Sequence, residues 1–139
     1  MIVGIKKEPC KKVPTIDVAT KEINGSLIEL YKDEDKTVAY LTTAKPGAFK
    51  GYHLHKLRQS HYVCIKGKMK ITVVKDSEKE EYILDSQTQE RLLIPTNVYI
   101  GLENIGEEEA WLINYPSPSY NPDLKDEQVD KTREEIEGK

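Results

Sequence analysis

Two of the three histidines in this chain, His53 and His55, are separated by a single residue. On a β-strand successive side chains alternate faces, so both imidazoles point the same way. The apolar run Tyr62-Val63-Cys64-Ile65 follows and ends at Lys66-Gly67, which reads as a tight turn into Met69-Lys70-Ile71-Thr72-Val73. The histidine pair is therefore expected on a β-hairpin that faces a sheet interior. An imidazole titrates near pH ~6.5, so both protonation states are accessible around neutrality and a ring in a pocket suits proton transfer. The pair has two other readings: half of a divalent-metal site completed by Asp, Glu or water, or packed histidines without a chemical role.

The surrounding elements read almost entirely as strands. Local pattern predicts them at Leu27–Tyr31, Val38–Thr42, Gly51–Lys56, His61–Ile65, Met69–Val74, Glu81–Leu84, Arg91–Ile94, Tyr99–Glu103 and Ala110–Asn114. Asn24-Gly25, Pro46-Gly47, Lys66-Gly67, Asp76-Ser77 and Ile105-Gly106 supply the turns. Many short strands at this spacing predict an all-β sandwich or barrel. Only Glu127–Glu137 looks helical, and its polarity on all sides predicts a solvated helix or tail. The expected organisation is one barrel domain over residues 1–125 and a charged C-terminal helix or tail over 126–139.

With 139 residues, 37% of them hydrophobic, the chain can fill one modest core. A charged fraction of 32%, interspersed and with a net charge of -3, argues against a nucleic acid or membrane surface held by bulk electrostatics. No apolar run reaches the ~18 residues of a membrane span, and the N-terminus lacks the apolar stretch of a signal peptide, so a cytoplasmic protein is expected. In that compartment Cys10 and Cys64 are expected as free thiols.

Gly47, His53, His55 and Gly67 fall at the spacings of the first cupin motif, with Ser60 where that motif carries Glu. Pro95 and Asn104 fall at the ends of the second motif, with Asn97 and Ile100 in place of its Gly and His. The chain thus resembles the cupins, which implies a double-stranded β-helix, or jelly-roll barrel. Two of the four cupin metal ligands are replaced by Ser60 and Ile100, so the resemblance implies no metal and no other cofactor.

Among cupins without a required metal, the chain is similar to the dTDP-4-dehydrorhamnose 3,5-epimerases and the related dTDP-sugar 3,4-ketoisomerases. Four segments carry this resemblance. Glu22-Ile-Asn-Gly25-Ser-Leu-Ile-Glu29 resembles an epimerase segment that holds the nucleotide, with Asn24 replacing its arginine and Glu29 retained. Lys50-Gly-Tyr-His53 resembles a segment whose basic residue contacts pyrophosphate and whose histidine is the base. Its continuation His53-Leu-His55-Lys56 is closer to the ketoisomerases. Leu93-Ile-Pro95 with Asn104 resembles the strand at the pocket mouth. Ala110-Trp-Leu-Ile-Asn-Tyr115 and the loop to Tyr120 resemble a segment whose tyrosine is the general acid, with Tyr115 preferred over Tyr120.

The resemblance implies a nucleotide-sugar substrate, such as a dTDP-4-oxo-6-deoxyhexose. His53 is the base, His55 its neighbour, and Glu29, Lys50, Lys56, Arg58, Ser60 and Tyr62 are candidate substrate-binding residues. The epimerases carry a lysine where this chain has Ser60, so stabilisation of the enolate oxygen is expected from Lys56, Arg58 or Lys66. They also carry an Asp, in a longer C-terminal region, that orients the histidine, and the chain is expected to end too early to supply one. A 3,4-ketoisomerase, and a non-catalytic or metal-dependent binding cupin, remain as alternatives. In the cupin register Ser60, Tyr62 and Cys64 face inward and His61, Val63 and Ile65 outward; that outward apolar face predicts a homodimer.

Overall fold

A computed structural model describes residues 2–16, 21–31, 39–116, 123 and 127–138, with backbone alone at 15–16 and 24–29. Strands β1 (Lys6–Pro9), β9 (Glu90–Ile94), β6 (Ser60–Lys66), β11 (Ala110–Asn114) and β4 (Tyr40–Ala44) form one antiparallel sheet in that order. A second sheet has the order β12 (Gln128–Asp130), β5 (Phe49–His55), β10 (Tyr99–Asn104), β7 (Lys68–Lys75) and β8 (Glu78–Asp85). Strands β2 (Lys11–Ile16) and β3 (Ile23–Glu29) pair only with each other, and α1 (Arg133–Glu137) follows β12.

From β4 to β7 and again from β8 to β12 the chain switches sheet at every connection, as a jelly roll requires. The interior faces of the two sheets bury Tyr62, Cys64, Leu92, Ile94 and Leu112 against Met69, Ile71, Val73, Leu84 and Ile100. The all-β barrel and the small C-terminal helix agree with the expectation.

Three local readings are corrected. Lys66-Gly67 is a corner between sheets, so β6 and β7 are not a hairpin and neither are β5 and β6; a two-residue turn looks the same in sequence whether or not its strands pair. Asn24-Gly25 lies inside β3, where Gly25 opposes Thr15. The predicted helix over Glu127–Glu137 divides into β12 and a five-residue α1. β1, β2 and β12 escaped prediction because they are short or lysine-rich and take strand form from pairing rather than from their own apolar pattern.

β5 carries the histidines and is bulged. Two residues of β10, Ile100 and Leu102, bracket a register shift against His53 and Lys50. At the shift Gly51 has φ +138, and a Cβ there would lie 2.8 Å from the Ile100 carbonyl oxygen. On the outer face, Gly101 leaves room for the Tyr52 and Phe49 rings, which a Cβ would meet at 2.7 and 2.8 Å.

Candidate active site

His53 lies opposite Ile100, a core residue, and opposite Asp130 on the other side, so its ring projects from the inner face of the sheet at its β12 edge. His53 Nδ1 is 2.6 Å from Asp130 Oδ1. A carboxylate only accepts, so the ring nitrogen donates and the proton sits on Nδ1. In the neutral ring Nε2 then carries a lone pair. Gln128 Nε2 donates to the same Asp130 oxygen at 2.8 Å. That hydrogen bond, with the one from His53, holds the Asp130 carboxyl below its usual range.

His55 is held differently. Arg58 Nη2 lies 3.0 Å from His55 Nδ1, and a guanidinium can only donate, so Nδ1 accepts and the proton sits on Nε2. The Glu127 carboxylate is 3.7 Å from the same nitrogen, too far for a hydrogen bond. Burial, and then the Arg58 charge, push the His55 pKa down, so the ring is neutral. The two imidazoles therefore present opposite faces chemically: a lone pair on His53 and an N–H on His55.

Glu127 is the buried anchor of this cluster, at 6% exposure. Its carboxylate accepts from Arg58 Nε at 3.2 Å and from the backbone N–H groups of Arg58 and Leu57 at 3.2 and 3.4 Å. Burial alone would raise its pKa, but the Arg58 guanidinium and His55 bring it below the usual carboxylate value. Arg58 also reaches Gln128 Oε1 at 3.4 Å. Tyr40, His53, His55, Arg58 and Gln128 line an open cleft of about 400 Å³.

The cleft thus gathers His53, His55 and Arg58 of the residues expected from sequence. Lys50 and Lys56 are exposed and stand outside its lining. Ser60 and Tyr62 are buried in the barrel, hydrogen-bonded to each other and near enough to Arg58 to feel its charge. Burial raises the Tyr62 pKa. Tyr120 and the Glu29 and Asn24 side chains lie outside the described residues.

Tyr115 is not brought to the cleft. It follows Asn114, whose partner Tyr62 points inward, so Tyr115 lies on the outer face. There it packs on Tyr31 with ring centroids 4.3 Å apart, and its carbonyl lies 2.7 Å from His61 Nδ1. Strand alternation decides this, and only the register makes it visible. Lys66 stacks over Trp111 at 4.8 Å and is likewise remote from the cleft lining.

The outward face is only partly open: Ile65 is 41% exposed, whereas Val63 is fully buried and His61 is half-buried. Asn104, kept from the second cupin motif, laces the far end of β10 through Ala44 and Glu108 carbonyls and the Gly106 N–H.

Sequence reasoning missed Asp130, Glu127, Gln128 and Tyr40. The expectation that the chain ends too early for an orienting Asp is overturned by Asp130. An acidic residue within a charged tail carries no distinguishing signal; pairing of β12 with β5 is what places it opposite His53.

A family model described as the polysaccharide biosynthesis C-terminal domain matches residues 20–128. A probable low-salt glycan biosynthesis epimerase of Haloferax volcanii is 26% identical over 131 residues, covering 81% of this chain and 84% of the relative. A dTDP sugar isomerase from Desulfovibrio desulfuricans superposes with a TM-score of 0.77 at 13% identity, over 94% of this chain and 85% of the other. QdtA, a sugar 3,4-ketoisomerase from Thermoanaerobacterium thermosaccharolyticum solved with TDP, superposes at 0.75 and 19% identity, over 99% and 96%. At these identities the two solved structures share the fold.

Proposed function

The chain belongs to the polysaccharide biosynthesis C-terminal domain family, and from that premise we propose that it is a nucleotide-sugar epimerase or isomerase acting beside the oxo group of a nucleotide-linked 4-oxo-6-deoxyhexose. The observation that carries this reading is the 2.6 Å contact between His53 Nδ1 and Asp130. It leaves His53 Nε2 as the acceptor for a carbon-bound proton and puts a carboxylate beside the imidazolium that forms.

The broken C–H bond's electron pair moves toward the oxo carbon, and negative charge develops on the oxo oxygen. His55, with its proton on Nε2, is the group in the cleft suited to donate a hydrogen bond to that oxygen. Return of a proton from the opposite face inverts the carbon. Tyr40 is the described tyrosine in the cleft lining and takes the acid's role in place of Tyr115. Lys50 and Lys56, exposed on and just beyond β5, are the cations available to a diphosphate at the cleft margin.

The Arg58 guanidinium 3.0 Å from His55 opposes a divalent cation at the pair, which favours a metal-independent reaction. A 3,4-ketoisomerase is the second reading, favoured by two imidazoles side by side in one cleft. Incubation with dTDP-4-oxo-6-deoxyglucose in D2O separates them. Deuterium at C3, C5 or both without oxo migration marks the epimerase, and migration of the oxo group to C3 marks the ketoisomerase. Absence of exchange and migration with every nucleotide sugar offered would reduce the protein to a binding module.

The same reading places the enzyme in the cytoplasm, where its free, buried Cys10 and Cys64 stay reduced. Among the described residues no helix is long and apolar enough to cross a membrane. A homodimer is part of the proposal: Ile65 and Leu41 are 41% and 54% exposed on one outer face, and the β2–β3 ribbon carries Val13 and Ile23 at 38% and 69%. Light scattering giving the mass of one chain would remove it.

A further inference from the structure

β12 is three residues long and pairs with β5 alone, yet it carries the carboxylate that must stay on His53. Backbone bonds fix both of its ends: Lys56 N donates to Glu127 O at 2.7 Å, Tyr52 N to Lys131 O at 2.8 Å and Lys131 N to Tyr52 O at 2.9 Å. Beyond Lys131 the chain turns through the Thr132 capping box into α1. A five-residue helix does not hold itself together, and no residue of α1 is buried, so polar contacts decide where it sits.

Those contacts converge on one residue. Tyr52 is 1% exposed, and its hydroxyl donates to Glu137 Oε2 at 2.8 Å. Arg133 Nε donates to the same oxygen at 2.9 Å, its guanidinium lies 4.2 Å from the Phe49 ring centroid, and Nη1 reaches Glu103 at 3.3 Å. Tyr52 immediately precedes His53, so the two side chains leave β5 on opposite faces. The C-terminal segment therefore grips the edge of the sheet from both sides, with Asp130 on His53 and Glu137 on Tyr52. A cavity of about 350 Å³ lined by Val74, Lys79, Ile136 and Glu137 beside Tyr52 leaves little apolar packing behind the helix.

We propose that the Tyr52–Glu137–Arg133 cluster is a latch that holds β12 in register, making Tyr52 and Glu137 positioning residues for the His53–Asp130 pair. The proposal rests on the reading of His53 as the base. The latch acts through the strand and touches no substrate. Its strength decides how much of the time the carboxylate is on the ring.

The test compares Tyr52→Phe, Glu137→Gln and a chain ending at Lys131 with Asp130→Ala, which removes the acceptor altogether, in the unliganded protein and in turnover. Imidazole ¹⁵N shifts report the His53 tautomer without any substrate. The latch predicts that the variants move His53 from the Nδ1–H form toward the mixed population of Asp130→Ala. It also predicts a kcat about tenfold lower with KM within twofold, and no further loss when Tyr52→Phe or Glu137→Gln is added to Asp130→Ala. His53 held in the Nδ1–H form in all three variants, or losses that multiply with Asp130→Ala, would overturn the latch. If Asp130→Ala itself leaves the His53 spectrum unchanged, the base reading fails instead, and the latch with it. The conservative Glu137→Gln keeps the test valid if truncation unfolds the chain.

Discussion

At the scale of single residues, the proposed chemistry rests on two imidazoles that sit two positions apart and differ in tautomer. A carboxylate faces one Nδ1 and a guanidinium faces the other, which makes His53 an acceptor and His55 a donor toward the cleft. His53→Asn removes the titratable nitrogen while keeping a polar side chain, and turnover is expected to fall about 10²–10⁴-fold with nucleotide affinity nearly unchanged. Titration calorimetry with a nucleoside diphosphate and steady-state kinetics check the two halves. Tyr40→Phe is expected to suppress net inversion while leaving deuterium exchange at the substrate carbon, because the base still works. Tyr115→Phe is expected to leave both intact, since its ring packs on Tyr31 at the outer face. Reversal of those two results would show that the acid reaches the cleft by a route other than the one described.

At the scale of elements, β5 is the strand on which everything depends, because it bonds β10 on one side and β12 on the other. Its bulge lets Tyr52 lie under α1 while His53 meets Asp130. Gly51 permits the bulge, as its φ of +138 and the Ile100 carbonyl 2.8 Å from an added Cβ leave no room for a side chain. Gly51→Ala is therefore expected to destabilise the fold by about 2–4 kcal/mol and to cost activity beyond that. Urea unfolding gives the first number. A variant as stable as the parent would mean that the strand can pair without its bulge.

At the scale of the whole molecule, the Glu127–Arg58–His55 cluster ties the C-terminal segment to the β5–β6 connection and makes stability depend on pH. His55, lowered by burial and by Arg58, resists protonation in the fold but not in the unfolded chain. It therefore stabilises fully above about pH 6.5 and progressively less as the pH falls through that value. Glu127 and Asp130 are also lowered, so their contributions are present above their ordinary values of 4.5 and 3.8 and are lost as the pH drops through the folded values. Exposed Asp130 adds little to this sum, and buried Glu127 most. The unfolding free energy is expected to decline on going from pH 7.5 to 5.5 and more steeply below 4.5. Glu127→Gln should cost about 3 kcal/mol at pH 7.5, by removing the buried carboxylate that accepts from Arg58 Nε and from two backbone N–H groups, and should flatten the steep acid limb. A parallel curve for parent and variant would show that Glu127 is not the titrating group.

Local pattern was enough for the class of fold and for placing two histidines on one strand face, and the family resemblance supplied the kind of chemistry. Period-two patterning and regularly spaced turns specify strands, and His53-x-His55 on a strand needs no tertiary information to share a face. Tertiary structure alone decided which partners the pair would have. Asp130, Glu127 and Gln128 sit in a polar tail whose local pattern suggests a helix, and they reach the histidines of the candidate site only because β12 adds to the edge of β5, more than 70 residues away. Tyr115, the tyrosine that the resemblance favours over Tyr120, is put on the outer face by register, whereas Tyr40, which no local signal singles out, lines the cleft. Long-range pairing is a property of two segments at once, and neither segment's composition contains it.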